Sequence, residues 1–408
     1  MKNIKEILKK YNQEHLLMFY DELTSEEQKE LIADIETIDF DTMNSLKNIK
    51  ETVSGTDEIA PVRAVQRENY SKQQLEDLKL RGRMIIESGS YAILTMAGGQ
   101  GTRLGHSGPK GTFSLSLKDK DRYIFEIFID YLKQAKNKYG VYLNWYIMTS
   151  KDNNDQTIEF FEGHNYFGYP KDKIKFFIQG ELPITDMDGN LLLESKSKVL
   201  KAADGNGGVF NAVSKVLKDM KEQDIKWVLI TGIDNILVNI ADELYIGLVD
   251  RDNKLNGVKS VAKSSPEEKV GVFCKRNGKP SVIEYSEMNE EMKYAKDENG
   301  ELKYMESNIV NHLLGIELLE KIQNEKLPIH KAIKKMSYID KDGNMQNPTE
   351  PCLIKYEAFI FDYFNKVEDV TILRVERDKE FAPVKNKEGQ DSPETATELY
   401  NNLYFKEV

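Results

Sequence analysis

YAILTMAGGQGTRLGHSGPKGTFSL, from Tyr91 to Leu115, passes from a short apolar run into a glycine-rich loop that contains an arginine and a lysine. A short apolar run that ends in turn residues is typical of a strand buried in a parallel sheet. Glycine lets backbone N–H groups approach a ligand closely, and clusters of such groups bind anions. Arg103 and Lys110 add two cations, so the loop is expected to hold a polyphosphate.

The loop differs from two familiar phosphate-binding motifs. Gly99, Gly101 and Gly105 form GxGxxxG, which is one residue longer than the dinucleotide-binding GxGxxG. Lys110 follows a proline, and a glycine separates it from Thr112, so the pattern GxxxxGK[ST] is not met either. The alternative is a tight turn with solvated charges, but turn chemistry alone does not explain GGxGTRLG followed by PKG.

Strands and helices alternate on the carboxyl-terminal side of this loop. The predicted strands are YAILTMA, LNWYIMT, KIKFFIQ, KWVLITGID, NGVKSVAKS and VGVFCK, and the predicted helices are 124–139, 154–162 and VFNAVSKVLKDMKEQ. This alternation predicts βαβ units and a mostly parallel sheet. On the amino-terminal side, helical spacing predicts helices from Lys2 to about Arg83, with a capping box at Thr24 and Glu27.

Composition limits the class of protein. The 408 residues predict two or three domains, and the net charge of -11 argues against sequence-independent nucleic-acid binding. Cys274 and Cys352 lie far apart in the sequence, which disfavours a zinc site or a disulfide framework. The amino-terminal residues lack the apolar core of a signal peptide, and no apolar run approaches the roughly 20 residues that span a bilayer. We therefore expect a cytosolic protein that binds neither nucleic acid nor a membrane.

The glycine loop resembles the signature of nucleotide-sugar pyrophosphorylases, and AGGQGTRLG is similar to that of the eukaryotic UDP-N-acetylhexosamine pyrophosphorylase branch. Other segments resemble this family in matching order over nearly the whole chain: QEHLLMFYDEL, FFIQGELP, AADGNGGVFNAV, GIDNILVNIAD, VGVFCKRNGKPSVIEYSE, SNIVNHLL, KYEAFIFDYF and EFAPVKN. The resemblance implies an α/β fold with a Rossmann-like, glycosyltransferase-A-like mixed sheet flanked by helices. It implies an N-terminal helical segment (1–88), a nucleotidyltransferase domain (89–370) and a short C-terminal portion (371–408).

The implied reaction joins UTP and a sugar 1-phosphate into a UDP-sugar and pyrophosphate, with N-acetylglucosamine 1-phosphate as the leading substrate. The resemblance assigns Arg103 and Lys110 to the triphosphate and the pyrophosphate, and Lys385 to the sugar phosphate. Asp234 follows the strand KWVLITGI, and ligands of open α/β sheets gather at the carboxyl ends of strands. A carboxylate there suits Mg²⁺, the expected cofactor. The alternative for Asp234 is a helix cap before ILVNIADEL.

The resemblance also assigns residues to the two ends of the product. The residues implied in nucleotide binding are Ala97, Gly98, Gly99, Gln179 and Gly205. The residues implied in sugar binding are Asn206, Gly271, Glu284, Asn308 and Phe361. The Gln179 amide carries a donor and an acceptor, as reading the edge of uracil requires. The alternative for Gly205 and Asn206 is a tight turn before the next helix, and the alternative for Phe361 is a core aromatic.

Three competing functions remain at this point. The first has the same chemistry with glucose or galactose 1-phosphate, and the pocket around Asn308 and Phe361 would distinguish it. The second is a catalytically silent nucleotide-sugar sensor, which is disfavoured because Arg103, Lys110, Asp234 and Lys385 are all present. The third is a dinucleotide-dependent oxidoreductase, which the loop spacing disfavours.

Eukaryotic family members continue past the last lysine motif into a further domain, whereas this sequence ends with DSPETATELYNNLYFKEV. The oligomeric state is left open.

Overall fold

The structure is a computed structural model that describes residues 2–47 and 57–405. These residues form two compact units. The small unit consists of described residues within 1–54, 180–208 and 326–360, and the large unit of those within 55–179, 209–325 and 361–408. The division of the chain at residues 88 and 370 stays a prediction.

The strands of the described residues are β1 (Ile59–Pro61), β2 (Tyr91–Met96), β3 (Ser114–Ser116), β4 (Asp121–Tyr123), β5 (Asn144–Thr149), β6 (Ile174–Ile178), β7 (Glu181–Pro183), β8 (Leu193–Ser195), β9 (Lys198–Val199), β10 (Lys201–Ala203), β11 (Trp227–Gly232), β12 (Asn256–Ala262), β13 (Val272–Arg276), β14 (Lys279–Ile283), β15 (Glu306–Gly315), β16 (His330–Lys334), β17 (Tyr338–Ile339), β18 (Met345–Gln346), β19 (Leu353–Glu357) and β20 (Thr371–Arg374).

The α-helices are α1 (Lys2–Lys10), α2 (Ser25–Glu36), α3 (Phe40–Lys47), α4 (Lys72–Glu87), α5 (Ile124–Tyr139), α6 (Asn154–Gly163), α7 (Val209–Ala212), α8 (Ser214–Glu222), α9 (Glu243–Asp252), α10 (Glu290–Tyr294), α11 (Ile316–Ile322), α12 (Arg377–Glu380) and α13 (Pro393–Tyr404). Short 3₁₀ helices are formed by Glu14–Leu17, Tyr20–Glu22, Arg67–Asn69, Thr102–Leu104, Lys110–Thr112, Asn165–Gly168, Lys171–Lys173, Asn206–Gly208 and Ile360–Lys366.

A ten-stranded mixed sheet forms the centre of the large unit. Its main path runs β1-β13-β15-β11-β2-β5-β6, with β12 paired to β15 and β20, and β14 paired to β13. The strands β11, β2, β5 and β6 are mutually parallel, whereas β15 runs antiparallel to β11. The α/β fold with a mixed sheet, implied by the resemblance, is confirmed. The mostly parallel sheet predicted from the alternation of strands and helices is wrong, because five of the nine pairs of described strands in this sheet are antiparallel.

Continuous burial explains why the central strands were recognisable in the sequence. Every residue of β2, β5 and β11 is buried, as expected for parallel strands covered on both faces. Helix α5 covers the sheet, and the ring of its Phe128 stacks on Trp145 of β5 at a centroid distance of 5.8 Å. The predicted helix 124–139 is confirmed residue for residue.

The core of the small unit lies beneath its amino-terminal helices. Ile4, Leu8, Leu16 and Phe19, which follow the helical spacing of this region, are buried and pack with the strand residues Leu193 and Val199. The capping box of α2 is confirmed, because Thr24 and Glu27 each accept a hydrogen bond from the other's backbone N–H. The helical periodicity therefore identified a true core.

Two sequence-based predictions of helix need correction. The segment 209–223 contains two helices, α7 and α8, that meet at Val213; the interruption is slight, because Val213 keeps helical dihedral angles and its N–H donates to the carbonyl oxygen of Val209. The region from Lys2 to about Arg83 is not helical throughout, since Ile59–Pro61 pairs antiparallel with β13. Edge pairing of so short a segment leaves little periodic signal. Residues 48–56 of that prediction lie outside the described residues. Among the described helices, none is both long and apolar enough to cross a membrane.

Candidate active site

Four candidate segments follow the carboxyl ends of the four parallel strands of the large unit. The glycine loop follows β2, Asp234 follows β11, and Gln179 follows β6. The fourth segment, beginning at Ser150, follows β5. These strands are neighbours in the order β11-β2-β5-β6, so the four segments share one edge of the sheet. Ligands of open α/β sheets bind at this edge.

The glycine loop folds back on itself after β2. The N–H of Lys110 donates to the carbonyl oxygen of Gly99 at 3.0 Å, and the N–H of Gly101 donates to that of Gly108 at 2.9 Å. Gly105 has a φ of 74°, a left-handed conformation that favours glycine. These bonds bring Lys110 back beside the first glycines. Gly99 is exposed, and a β-carbon there would meet no atom within 4 Å, so its backbone is open to a ligand.

His106 fills the inside of this loop. Its Nε2 is 2.7 Å from Oγ1 of Thr112, and its ring contacts Phe113 edge to face at a centroid distance of 5.7 Å. A β-carbon on Gly101 would lie 2.7 Å from Cβ of His106, so the glycine is required by the close approach of this ring. The imidazole therefore braces the loop between the two predicted phosphate ligands.

Gln179 lies directly against the first glycine of the loop. Its side-chain amide occupies the space that a β-carbon on Gly98 would need, and its backbone N–H donates to Thr149 at the end of β5. The buried Asn153 fixes the same corner: its Nδ2 donates to the carbonyl oxygen of Ala97 at 2.9 Å, and its Oδ1 accepts from Ser150. The structure thus brings together the predicted uracil residues Ala97, Gly98 and Gln179.

Three cations and one carboxylate converge around Lys110. Burial lowers the pKa of its ammonium, the nearby Asp234 carboxylate opposes that shift, and the positive charges of Lys385 and Arg103 add to it. Arg103 is exposed, whereas Lys110 and Asp234 are half-buried. Like charges held at close range destabilise one another unless an anion lies among them. The structure therefore assembles the predicted phosphate and metal residues into a single positive cluster.

Lys385 is carried to this cluster by a carboxyl-terminal segment. The N–H of Val384 donates to the carbonyl oxygen of Asp234 at 2.8 Å, and the N–H of Lys385 donates to that of Asp391 at 2.7 Å. The Nζ of Lys385 is 3.8 Å from Oδ2 of Asp391. Its side chain remains 39 % exposed, so its ammonium can reach a ligand.

Gly271 directly precedes β13, Glu284 directly follows β14 and Asn308 lies in β15, and the three residues meet there. The N–H of Asn308 donates to the carbonyl oxygen of Gly271 at 2.9 Å. A β-carbon on Gly271 would lie 2.8 Å from Oε1 of Glu284, so glycine is needed for this carboxylate to lie where it does. Because β15 is antiparallel to β11, its amino-terminal end, which carries Asn308, lies toward the carboxyl end of β11. Three predicted sugar residues are therefore grouped.

The backbone is strained beside Asn308. Val310 has a φ of 55°, which a β-branched residue rarely adopts, and its N–H donates to Oδ1 of Asn308 at 2.9 Å. The register between β12 and β15 shifts at this point. The amide oxygen of Asn308 is thus occupied, so its Nδ2 group is the part that can donate to a ligand. Strain of this kind is found at ligand sites more often than elsewhere.

The remaining predicted residues belong to segments not yet described. Gly205 and Asn206 belong to the small unit, where a β-carbon on Gly205, at a φ of 88°, would overlap the carbonyl oxygen of Ala358. Oδ1 of Asn206 accepts from the N–H of Ile360 at 2.8 Å, which leaves its Nδ2 group for a ligand. Phe361, in the large unit, is half-buried in a 3₁₀ helix. Their binding roles stay predictions.

Sequence reasoning overlooked His106, Asn153 and also Asn235, the buried neighbour of Asp234, whose side-chain amide bonds the backbone of Glu380 and Ala382. The sequence held one indication for His106, namely its position between two glycines of the loop. Glycines leave an empty space inside a folded loop, and a neighbouring side chain can fill it. The two asparagines had a weaker signal, namely their position within a few residues of the carboxyl ends of strands β5 and β11. None of the three was distinguishable from a turn residue before its partners were known.

Comparison with known proteins gives one consistent result. Residues 39–392 match the family described as UTP–glucose-1-phosphate uridylyltransferase. The chain is 36% identical over 432 residues to a UDP-N-acetylglucosamine pyrophosphorylase of Saccharomyces cerevisiae, covering 99% of this chain and 90% of that protein. It is 33% identical over 424 residues to human UDP-N-acetylhexosamine pyrophosphorylase-like protein 1, covering 98% and 83%. The crystal structure of a uridine diphosphate N-acetylglucosamine pyrophosphorylase from Trypanosoma brucei superposes with a TM-score of 0.81 at 29% identity, covering 96% and 82%.

Proposed function

The chain belongs to the UTP–glucose-1-phosphate uridylyltransferase family, and from this premise we propose that it forms UDP-N-acetylglucosamine and pyrophosphate from UTP and N-acetylglucosamine 1-phosphate. Relatives named for UDP-N-acetylglucosamine, at 34–36% identity over nearly the whole chain, support this substrate. The family resemblance expected from the glycine loop is confirmed. The chain is an enzyme of the uridylyltransferase class.

The observation that carries the proposal is the cluster around Lys110. Arg103, Lys110 and Lys385 place three positive charges near two carboxylates, that of Asp234 and that of Asp391, which lies 3.8 Å from the ammonium of Lys385. A triphosphate and a sugar phosphate together bring enough negative charge to balance them. Electrostatic complementarity of this kind provides most of the catalysis in phosphoryl-type transfer, because the charge on the leaving group grows as the bond breaks.

The reaction places modest demands on the protein. An oxygen of the sugar phosphate attacks the α-phosphorus of UTP, and the bond to the β-phosphate oxygen breaks to release pyrophosphate. The attacking oxygen is already anionic at neutral pH, so no base has to remove a proton. Positioning and charge neutralisation are what remain. In the proposal, Lys385 holds the sugar phosphate in line while Arg103 and Lys110 hold the β- and γ-phosphates.

The donor set fits a Mg²⁺ cofactor. Within residues 2–47 and 57–405, no group of three or more His, Cys, Asp or Glu side chains is arranged to hold a metal ion by itself. Mg²⁺ is commonly held by one or two carboxylates together with substrate phosphates and water. Asp234, at the end of β11 beside the cationic cluster, suits that role. Bound there, Mg²⁺ would neutralise charge on the α-phosphate during transfer.

The two ends of the product have separate candidate contacts. We assign uracil to Gln179 and the backbone of Gly98 and Gly99, since an amide offers the donor and the acceptor that uracil pairs with. We assign the sugar hydroxyls to Glu284 and the N-acetyl carbonyl to the Nδ2 group of Asn308, which its bond to Val310 leaves as a donor. Gly205, Asn206 and Phe361 keep their proposed binding roles.

The alternative substrate is glucose 1-phosphate or galactose 1-phosphate. The description of the matched family favours it, because it names glucose 1-phosphate. The chemistry at Lys110 and Asp234 would be the same, and only the pocket near Asn308 would differ. A cytosolic location completes the proposal; the free thiols of Cys274 and Cys352 support a reduced compartment.

The test is pyrophosphate release from purified protein with UTP, Mg²⁺ and a panel of sugar 1-phosphates. The panel contains N-acetylglucosamine, N-acetylgalactosamine, glucose and galactose 1-phosphates, with other nucleoside triphosphates as controls. The highest kcat/KM with N-acetylglucosamine 1-phosphate supports the proposal. The highest value with a plain hexose keeps the reaction and overturns the substrate. No release with any pair, from protein that still binds UTP, would favour a nucleotide-sugar sensor.

The same assay tests the residue roles. Lys385→Ala and Asp234→Ala should each lower kcat by about 100-fold or more, as removal of a single transition-state contact does. Loss of Asp234 should in addition raise the Mg²⁺ concentration that gives half-maximal activity. Circular dichroism and thermal unfolding must show that both variants remain folded. Near-normal turnover in both folded variants would contradict the assignments.

A further inference from the structure

Backbone hydrogen bonds join the segment that carries Asp234 to the segment that carries Lys385. The N–H of Val384 donates to the carbonyl oxygen of Asp234 at 2.8 Å, and the N–H of Ile236 donates to that of Ala382 at 3.2 Å. Between these two bonds, Asn235 and Pro383 form an isolated antiparallel bridge that joins the two segments. The proposed metal carboxylate and the proposed sugar-phosphate lysine are therefore fixed relative to each other over a few residues, although about 150 positions separate them in the sequence.

The side chain of Asn235 completes this junction. It is 3 % exposed, and its Nδ2 donates to the carbonyl oxygen of Glu380 at 2.7 Å. Its Oδ1 accepts from the N–H of Ala382 at 2.9 Å and from that of Leu237 at 3.2 Å. One buried amide thus holds backbone groups of both segments. Asparagine has the donor and the acceptor that this arrangement needs on a short side chain.

A buried ion cluster anchors the far end of the junction. Nζ of Lys259 is 2.8 Å from Oδ2 of Asp242 and 2.5 Å from Oε2 of Glu380, and all three side chains are buried. Asp242 also caps helix α9 through the N–H groups of Leu244 and Tyr245. Glu380 therefore connects the core of the large unit to the segment that ends at Lys385, and the carbonyl oxygen of the same residue accepts from Asn235.

We propose that Asn235 is a positioning residue, whose amide sets the register of the 380–385 segment against Asp234. This register orients the ammonium of Lys385 and the carboxylate of Asp234 toward the same phosphate. This inference rests on the proposed function. Asn235 is assigned no contact with substrate. It acts through Lys385, because the backbone that it holds ends three residues before that lysine.

The geometry separates this role from general packing. A buried asparagine that only stabilised the fold would affect the stability of the protein without depending on Lys385. A positioning residue loses its effect on turnover once the group that it positions is gone. Mutations that act through one shared partner are non-additive, whereas independent sites add. The dependence on Lys385 is therefore the decisive quantity.

The experiment is a double-mutant cycle between Asn235→Ala and Lys385→Ala. For each protein, kcat and the KM values for UTP and the preferred sugar 1-phosphate are measured, together with thermal unfolding. Asn256→Ala is the matched control, since Asn256 is also buried and donates to two backbone carbonyl oxygens, those of Lys254 and Asp369, at 2.9 and 3.1 Å. Asn235→Asp keeps the two acceptor interactions and removes the donor, so it serves if the alanine variant does not fold.

We expect Asn235→Ala to lower kcat about tenfold or more, as misplacement of a reacting group does, with little change in KM for UTP. In the Lys385→Ala background it should lower kcat by less than about twofold. Asn256→Ala should lower the unfolding temperature and leave kcat near that of the unmodified protein. Equal losses with and without Lys385 would overturn the positioning role while leaving the role of Lys385 intact. Normal kcat in Lys385→Ala would refute that role itself, and with it this inference.

Discussion

The side-chain amide of Gln179 fills the space that a β-carbon on Gly98 would need. The nearest obstructing atoms belong to the end of this flexible side chain, and the backbone N of Ser150 follows at 3.3 Å, so Gly98→Ala should displace the amide with only a small local shift of the backbone. A displaced amide can no longer pair with uracil, and losing such a pairing costs about 1–3 kcal/mol. We therefore expect kcat/KM for UTP to fall about 10- to 100-fold, mainly through KM, with reduced preference for UTP over CTP.

Gly163→Ala is the matched control for this prediction. Gly163 ends helix α6, and a β-carbon there would meet nothing within 4 Å. Its kcat/KM for UTP should equal that of the unmodified protein. If Gly98→Ala kept both the KM for UTP and the preference for uracil, Gln179 would not read the base.

The ring of His106 predicts a second effect on UTP binding. It is 2.7 Å from Oγ1 of Thr112 and packs against Gly101 inside the loop. His106→Ala should make the loop between Arg103 and Lys110 more mobile. UTP would then have to order the loop when it binds, which reduces the net free energy of binding. We expect KM for UTP to rise about 10-fold, an effect of about 1.4 kcal/mol, in steady-state assays.

The control for His106 is His15→Ala in the small unit. His15 is also half-buried and makes one side-chain hydrogen bond, from Nε2 to the carbonyl oxygen of Leu191 at 2.7 Å. Both variants should lose some thermal stability. Only His106→Ala should alter KM for UTP, and an equal change in both would show that the effect is not local to the loop.

The sequence predicted the central strands because burial on both faces leaves a continuous apolar signal. Strands β2, β5 and β11 were found within a residue or two of their observed ends. The short edge strand β1 was missed, because its pairing with β13 depends on a partner more than 200 residues away. The junction of α7 and α8 at Val213 was missed because the backbone stays helical there, so the helical periodicity continues across it.

The candidate site was predictable where a side chain acts directly on a ligand of known chemistry. Cations beside glycines indicate phosphate, and a carboxylate after a strand indicates a metal. Asn235 carried no such signal, since its function depends on the carbonyl oxygen of Glu380, 145 positions away. The occupied Oδ1 of Asn308 was equally hidden, because it depends on the left-handed backbone of Val310. Positioning is a tertiary property, and a single sequence does not display it.

Asn308 provides a test of sugar selectivity. The N–H of Val310 donates to Oδ1 of Asn308, which fixes the orientation of the amide, and Nδ2 is the group that can donate to an acetamido carbonyl. Asn308→Asp keeps the bond to Val310 and replaces that donor with an anionic oxygen. We expect kcat/KM with N-acetylglucosamine 1-phosphate to fall about 100-fold, because a buried carbonyl then faces an acceptor. The loss with glucose 1-phosphate should be much smaller.

The loss with glucose 1-phosphate in Asn308→Asp is the internal control. Damage to the fold would lower kcat/KM with both sugar 1-phosphates. Glu284→Gln offers a further contrast, because its carboxylate is assigned to hydroxyl groups that both sugars share. Equal losses with both sugars in Asn308→Asp would place the acetamido group away from this residue.

Deprotonation of Lys110 at high pH should lower kcat/KM for UTP and raise the free energy of unfolding. Burial lowers the pKa of its ammonium below the usual 10.5, helped by Lys385 and Arg103 and opposed by Asp234. The free enzyme should therefore lose this cation, and with it kcat/KM for UTP, at a lower pH than an ordinary lysine would. Bound phosphates favour the charged form, so the basic limb of kcat should lie at higher pH. Lys110→Arg should shift the kcat/KM limb upward.

The same shift has a consequence for unfolding. Because the folded pKa lies below the unfolded one, the unfolded chain binds more protons between the two values, and stability from this group rises with pH across that window. Below the folded pKa, the charged Lys110 destabilises the fold. Lys110→Met should therefore raise the unfolding temperature at pH 7 while lowering kcat about 100-fold. Lys72→Met, at an exposed position of α4, should do neither. A lower unfolding temperature for Lys110→Met would mean that the cationic cluster stabilises the protein even without substrate.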